Sequence, residues 1–170
     1  MQIICETERL VVRHFELKDA PFIIELLNQD AFIRYIADKQ VRTLNDALRY
    51  LTQGPMLSYR EQGFGLNLLL TQGSMTPIGM CGLLKRPELT CPDIGYALLS
   101  DYWGQGYGEE AARAVLAHGF SSLGLPAIQG VTLPENQRSN QLLQKLGFNL
   151  VEQISLYGKM NNLYQLERKP

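Results

Sequence analysis

The chain has 170 residues, 45% apolar and 19% charged, which excludes disorder, and a chain this long buries roughly 70% of the surface its unfolded form exposes. Its 16 Lys and Arg nearly cancel 17 Asp and Glu, for a net charge of -1; that excludes a broad phosphate-binding face and argues against a nucleic-acid partner. Cys5, Cys81 and Cys91 are too few and scattered for a disulfide framework, and with only His14 and His118 beside them no metal site is expected.

Arg9 to Phe15 has the β-branched residues of a strand. Asp19 and Pro21 then open an apolar run, Phe22 to Leu27, that suits a helix. Thr43 can cap a second helix carrying Ala47, Leu48 and Leu51, broken or kinked at Gly54-Pro55. Three strands follow, Phe64–Leu70, Pro77–Leu84 and Asp93–Leu99, parted by Gly, Pro, Ser and Thr. A helix pattern runs from about Tyr107 to Ser121, and its alanines let it pack close to a sheet. Ala127–Leu133 is a strand, Asn136 can cap a helix closed by Gly147, and Phe148–Leu156 and Leu163–Glu167 finish as strands around Gly158. Strands in succession and then strand–helix–strand units predict an α/β (α+β) fold, one mixed sheet flanked by helices. The start lacks a cationic, apolar leader and no stretch is long enough to span a membrane, so a single cytoplasmic domain over 1–170 is expected, without a membrane partner.

The densest signal is Tyr102-Trp103-Gly104-Gln105-Gly106-Tyr107-Gly108. A strand, a glycine turn and a helix start form an anion site, because glycines let backbone amides converge where the helix supplies unpaired N–H groups. A nucleotide triphosphate loop needs Gly-Lys-Ser/Thr, but Glu109-Glu110 follows Gly108. A dinucleotide fold needs a different glycine spacing after the first strand and an acid about twenty residues on, where Leu125-Pro126 stands. The pyrophosphate of coenzyme A is the third candidate guest. A tight turn that only admits close helix packing accounts equally well for the glycines taken alone.

The same residues, with Asp93-Ile94-Gly95-Tyr96-Ala97-Leu98 before them, resemble motif A of the GNAT N-acetyltransferases, and more narrowly the branch of the ribosomal-protein N-terminal acetyltransferases (RimJ/RimL-like). The opening Glu6-Thr7-Glu8-Arg9-Leu10-Val11-Val12-Arg13 and the later Asn136-Gln137-Arg138-Ser139-Asn140, followed by Leu146-Gly147-Phe148, are similar to other segments of that branch. The resemblance implies a mostly antiparallel, seven-stranded sheet with about four helices and two splayed parallel central strands. It implies acetyl-CoA as cosubstrate, with no metal. Tyr96, Ala97 and Leu98 would offer backbone groups to the pantetheine arm, and Gly104, Gly106, Tyr107 and Gly108 would hold the pyrophosphate. Asn136 and Asn140 would contact the arm or order the cleft. Trp103 stands where the wider superfamily usually has Gln or Arg, a feature of the RimJ/RimL-like branch. Leu143 stands where many members carry a tyrosine acid, and Ser139 matches the serine some RimL-like members are thought to use.

The reaction implied is attack of a neutral amine on a thioester, which requires a proton acceptor because a free α-amine has a pKa of roughly 8. Asp93, expected to face the cleft mouth at the start of the central strand, is the first candidate base; a solvated or turn-capping aspartate is the plainer alternative. The amide of Leu98 could stabilise the thioester oxygen, and Ser139 could protonate the leaving thiolate or simply occupy the first turn of its helix. Glu109 and Glu110 are read as structural acids at a helix start. The acceptor is a primary amine, either a peptide N-terminus or a small molecule. Arg34, Tyr35 and Arg42 could meet an anionic group on it or be solvated. A non-catalytic acyl-CoA-binding regulatory module is the rival reading, and a free edge on the final strand would suit a homodimer.

Overall fold

The computed structural model describes residues 1–170. Eight strands run β1 (Ile3–Glu6), β2 (Leu10–His14), β3 (Leu66–Thr71), β4 (Pro77–Leu84), β5 (Asp93–Leu98), β6 (Ala127–Thr132), β7 (Asn149–Leu156) and β8 (Lys159–Glu167). Six helices run α1 (Ala20–Leu27), α2 (Asp30–Tyr35), α3 (Leu44–Gln53), α4 (Pro55–Gln62), α5 (Tyr107–Ser121) and α6 (Gln137–Lys145). The strands form one sheet in the order β1-β2-β3-β4-β5-β6-β8-β7, in which only β5 and β6 pair in parallel. This is the expected mixed, mostly antiparallel architecture, with one strand more than seven and six helices where about four were expected. The addition is β1, four residues of which two are exposed, so its sequence carries little alternation.

Local chemistry fixes the helix boundaries. Thr43 accepts from the Asp46 amide while the Asp46 carboxylate accepts from the Thr43 amide, a reciprocal cap that starts α3. Gly54-Pro55 does not end helical structure there; it separates α3 from α4, because proline is tolerated in a first turn. Gly63, left-handed at φ 80°, closes α4.

Each face of the sheet carries its own core. Helices α5 and α6 cover one face around Leu69, Ile78, Ile128 and Leu143, and α1 to α4 cover the other around Phe15, Ile23, Leu51 and Leu68. Ala111 and Ala112, both fully buried, let α5 lie close against the strands. The buried Arg13–Asp19 pair, 2.8 Å, ties β2 to the turn before α1. The final strand is not the free edge: β8 lies between β6 and β7, so the sheet ends in β1 and β7. Strand β8 also begins at Lys159, four residues before the apolar stretch that marked it in the sequence.

Candidate active-site groove

Strands β4 and β5 pair along six residues from Leu84–Asp93 to Gly79–Leu98, whereas β5 and β6 meet at one position, Asp93 opposite Gln129. Beyond Ile94 the two parallel strands part, and a groove of about 1670 Å³ runs through the gap. Leu99 donates its amide to the Ile78 carbonyl at 2.8 Å. Backbone direction alternates along a strand, so Ala97 and Gly95 turn their backbone to β4, while Tyr96 and Leu98 turn theirs to the gap. Tyr96 can thus offer main-chain groups to a ligand and Leu98 its amide, since the Leu98 carbonyl already accepts from Gln29 and Trp103. Ala97 cannot, since its backbone is committed to β4 opposite Met80; it lines the groove with its methyl group instead.

At the far end of β5 the chain enters the glycine turn. Gly104 and Gly106 have φ of 72° and 84°, and Gly106 immediately precedes α5. A side chain at Gly106 would adopt a left-handed backbone and bring its Cβ within 3.3 Å of the Arg9 guanidinium. The amides at the start of α5 have no partner inside the helix, and Gly104, Gly106, Tyr107 and Gly108 all line the groove. These residues fit a pyrophosphate.

Side chains from elsewhere hold the turn in shape. Arg9 donates Nη1 to the Gln105 carbonyl at 2.9 Å and Nε to Glu110 at 2.7 Å, and its guanidinium lies 4.2 Å from the Tyr107 ring centroid. Glu110 also accepts from Thr7 Oγ1 at 2.5 Å and the Arg9 amide at 3.0 Å. Glu110 therefore clasps the opening segment onto the turn, beyond any effect on the helix dipole; the separation of about a hundred residues hid this pairing in the sequence. Glu109 bonds Arg113 and Lys145 at 2.8 and 2.9 Å, which hold its carboxyl below the usual range. Trp103 donates Nε1 to the Leu98 carbonyl at 3.0 Å and lies against the Arg138 guanidinium, 4.7 Å from the ring. Arg138 lines the groove beside the turn and is a further candidate for holding anionic oxygens. Arg138 belongs to the segment Asn136 to Asn140, and only the fold brings it to Trp103.

On α6, Asn136 accepts from the Ser139 amide at 3.4 Å and lines the groove. Asn140 does not. It is buried, and its Oδ1 accepts from Thr132, Asn162 and Tyr164 while its Nδ2 donates to the carbonyls of Leu133, Pro134 and Asn136. With both polar atoms occupied, Asn140 orders the wall formed by β6, β8 and α6 and has no group left for a ligand. Leu143, 1% exposed, packs beside Gly130, where a Cβ would come within 2.9 Å of it.

Ser139 lines the groove and its Oγ lies 2.6 Å from the Tyr96 hydroxyl. Strand β5 and helix α6 thus meet hydroxyl to hydroxyl across the gap. Burial pushes the Tyr96 phenol up to about 12, so it carries its proton at neutral pH. The sequence reading used only the Tyr96 backbone and missed its side chain.

Asp93 lies elsewhere than expected. It is 1% exposed, at the closed end of the splay, and does not line the groove. Its Oδ1 accepts from Arg86 Nε at 3.1 Å, its Oδ2 has no partner, and burial pushes its pKa up to about 6 against the opposing pull of Arg86. The groove meets Arg86, with Asp93 behind it. A strand start marks the end where β5 still pairs with β6, and the mouth is at the other end. Neither histidine lines the groove; His14 stacks on Tyr59 at 3.6 Å.

Residues 9–149 match the family of the acetyltransferase (GNAT) domain. Among relatives, the uncharacterized N-acetyltransferase YoaA of Bacillus subtilis (strain 168) is 29% identical over 147 residues, covering 85% of this chain and 82% of its own. An acetyltransferase structure from Agrobacterium tumefaciens str. C58 superposes with a TM-score of 0.84 at 20% identity, covering 98% of this chain and 95% of its own. RimL, a ribosomal L7/L12 alpha-N-protein acetyltransferase solved in complex with coenzyme A, superposes with a TM-score of 0.81 at 18% identity over 98% of both chains.

Proposed function

The chain belongs to the GNAT acetyltransferase family and is an N-acetyltransferase, and from that premise we propose that it transfers acetyl from acetyl-CoA directly to a primary amine, a protein N-terminus or a small molecule, in the gap between β5 and β6. The observation that carries this reading is the junction of two features: the backbone of Tyr96 and the amide of Leu98, left without a strand partner, run straight into the glycine turn at the start of α5. An arm that needs backbone partners and a pyrophosphate that needs converging amides find both in sequence. Trp103 and the ordered motifs support the RimJ/RimL-like branch, and we read 1–170 as one cytoplasmic domain. No helix is long and apolar enough to cross a membrane.

Acetyl-CoA supplies an activated acyl group on a thiol of ordinary basicity. The chain's residues do the rest. Gly104, Gly106, Tyr107 and Gly108 hold the phosphates, with Arg138 and Trp103 beside them, and the Leu98 amide steadies negative charge on the acyl oxygen. The attacking amine gives up its proton to water in the open groove; Ser139 passes a proton to the leaving sulfur and is refilled by the Tyr96 hydroxyl through the 2.6 Å contact, and Tyr96 takes its proton back from water. Asn136 sets the first turn of α6, on which Ser139 stands. Asp93, shielded behind Arg86, does not touch the incoming amine; it holds that guanidinium in place at the groove wall.

Incubation of the purified chain with acetyl-CoA and a panel of amines, with release of free thiol followed, tests the reading. Release that depends on the amine supports it. Binding of acetyl-CoA without turnover of any amine would overturn it in favour of a non-catalytic acyl-CoA-binding module.

A further inference from the structure

The groove continues past the splay to the other end of β5, and its charge there is one-sided. Lys39 from the connection after α2, Lys85 and Arg86 from the β4–β5 loop, and Lys159 from the start of β8 all line it. The one carboxylate lining this side, Asp38, is already held by Arg42 at 2.8 Å. Arg86 is 27% exposed, bonded to the buried Asp93 and 6.0 Å from the Tyr157 ring. Tyr157 occupies the tip of the β7–β8 hairpin at φ 53°, a left-handed backbone that a tyrosine adopts only at a cost. Lys39 is exposed as a residue, but its ammonium is depressed by burial first and by the charge of Arg86 second. Lys39 and Arg86 therefore line the same end of the groove, and Asp93 compensates only Arg86.

The coenzyme's phosphates do not account for this. They belong at the glycine turn, and the six residues of β5 separate its two ends by about 17 Å. Arg34 and Arg42, the cations that stood out in the sequence of this region, serve other purposes. Arg34 stacks on Tyr35 at 5.0 Å, and Arg42 bonds Asp38 and Asn28. A groove end lined by four cations, of which Asp93 matches only Arg86, is stabilised by an anion delivered from outside. A free ammonium substrate would be repelled there, unless it carried that anion.

We propose that the acceptor is a primary amine bearing a carboxylate or phosphate, which Lys39 and Arg86 receive beside Tyr157 while the amine points toward the splay. The proposal rests on the acetyltransferase reading and names the acceptor class within it. Charge pairing of this kind supplies specificity and orientation, because a partner lacking the anion leaves two cations unmatched.

Matched pairs test it: phosphoethanolamine against ethanolamine, a free amino acid against its carboxamide, and a peptide beginning Ala-Glu against one beginning Ala-Gln. Turnover with acetyl-CoA is measured for each, along with calorimetric affinity for the protein preloaded with free CoA. In at least one pair the anionic member should be favoured by about tenfold or more in kcat/KM and in affinity, and which pair responds separates a small molecule from an acidic peptide. Lys39→Gln, on an exposed connection, should narrow that ratio, and Lys39→Glu should narrow it further. Equal use of both members in every pair, or a preference for the neutral ones, overturns the proposal while leaving the acetyltransferase reading in place. Failure to bind acetyl-CoA at all overturns both.

Discussion

The two ends of β5 are built in opposite ways. At its C-terminal end the site is made of consecutive backbone: Tyr96 and Leu98 facing the gap, then Gly104 to Gly108 leading into α5. At its N-terminal end it is made of side chains from separate elements, with Lys39, Arg86, Asp93 and Tyr157 drawn together across more than a hundred residues of sequence. The first kind of site suits a guest that is always the same, since amides cannot be exchanged by substitution. The second kind can be retuned one side chain at a time, which suits an acceptor that differs between related enzymes.

Breaking the backbone end should have the largest effect. Gly106→Glu forces a left-handed conformation on a residue with a Cβ and aims a carboxylate at the phosphate turn, so CoA affinity measured by calorimetry should fall by about 100-fold or more. The fold should survive, because the atom a new Cβ would meet is the flexible tip of Arg9 at 3.3 Å. Unchanged affinity would mean that the turn is a packing device alone.

This contrast also explains what could be read from the sequence. The glycine turn, the α5 pattern and most strands were legible because they depend on neighbours: conformational freedom at Gly106, a capping hydroxyl at Thr43, an apolar run in β4. Asp93 was found as a residue but misplaced, because the splay opens at the end of β5 where β6 has left it, and pairing of distant strands leaves no local trace. For Asn140 the resemblance leaves two roles open, contacting the arm or ordering the cleft, because an amide near a cleft can serve either, and only its six hydrogen bonds decide for the second. Lys39 and Arg86 are unremarkable in composition and become a pair only in three dimensions.

The side-chain end can be probed through Asp93. Its pKa moves from 3.8 in an unstructured chain to about 6 in the fold, with burial the leading cause. A carboxyl with a raised native pKa binds its proton more tightly in the folded state, so its contribution to stability is fully present below pH 3.8 and is lost as pH rises through about 6. Wild type should therefore gain about 2 kcal/mol of unfolding free energy relative to Asp93→Asn between pH 7 and pH 4. Urea unfolding of both proteins at those two pH values measures the difference, in which the other titrating groups cancel. A gap that does not change with pH would place Asp93 in contact with water and return it to the role of an exposed base.

The smallest effect is expected where the two ends meet, at the Tyr96–Ser139 contact. Both hydroxyls sit on groups the fold already fixes, one on β5 and one in the first turn of α6, so Tyr96→Phe should leave the groove intact. General acids commonly contribute 100-fold or more, but a thiol with a pKa of about 8.5 leaves with little help, so a loss of about tenfold in kcat is expected near neutral pH. Ser139→Ala should cost about the same, and the double variant little more, because the two hydroxyls act as one proton path. The sign with pH follows from the leaving group. Above the thiol's own pKa the departing sulfur needs no proton, so the difference between wild type and Tyr96→Phe should shrink as pH rises past about 8.5. A merely structural contact would instead raise the KM for acetyl-CoA by the same factor at every pH, and rate measurements across that range distinguish the two.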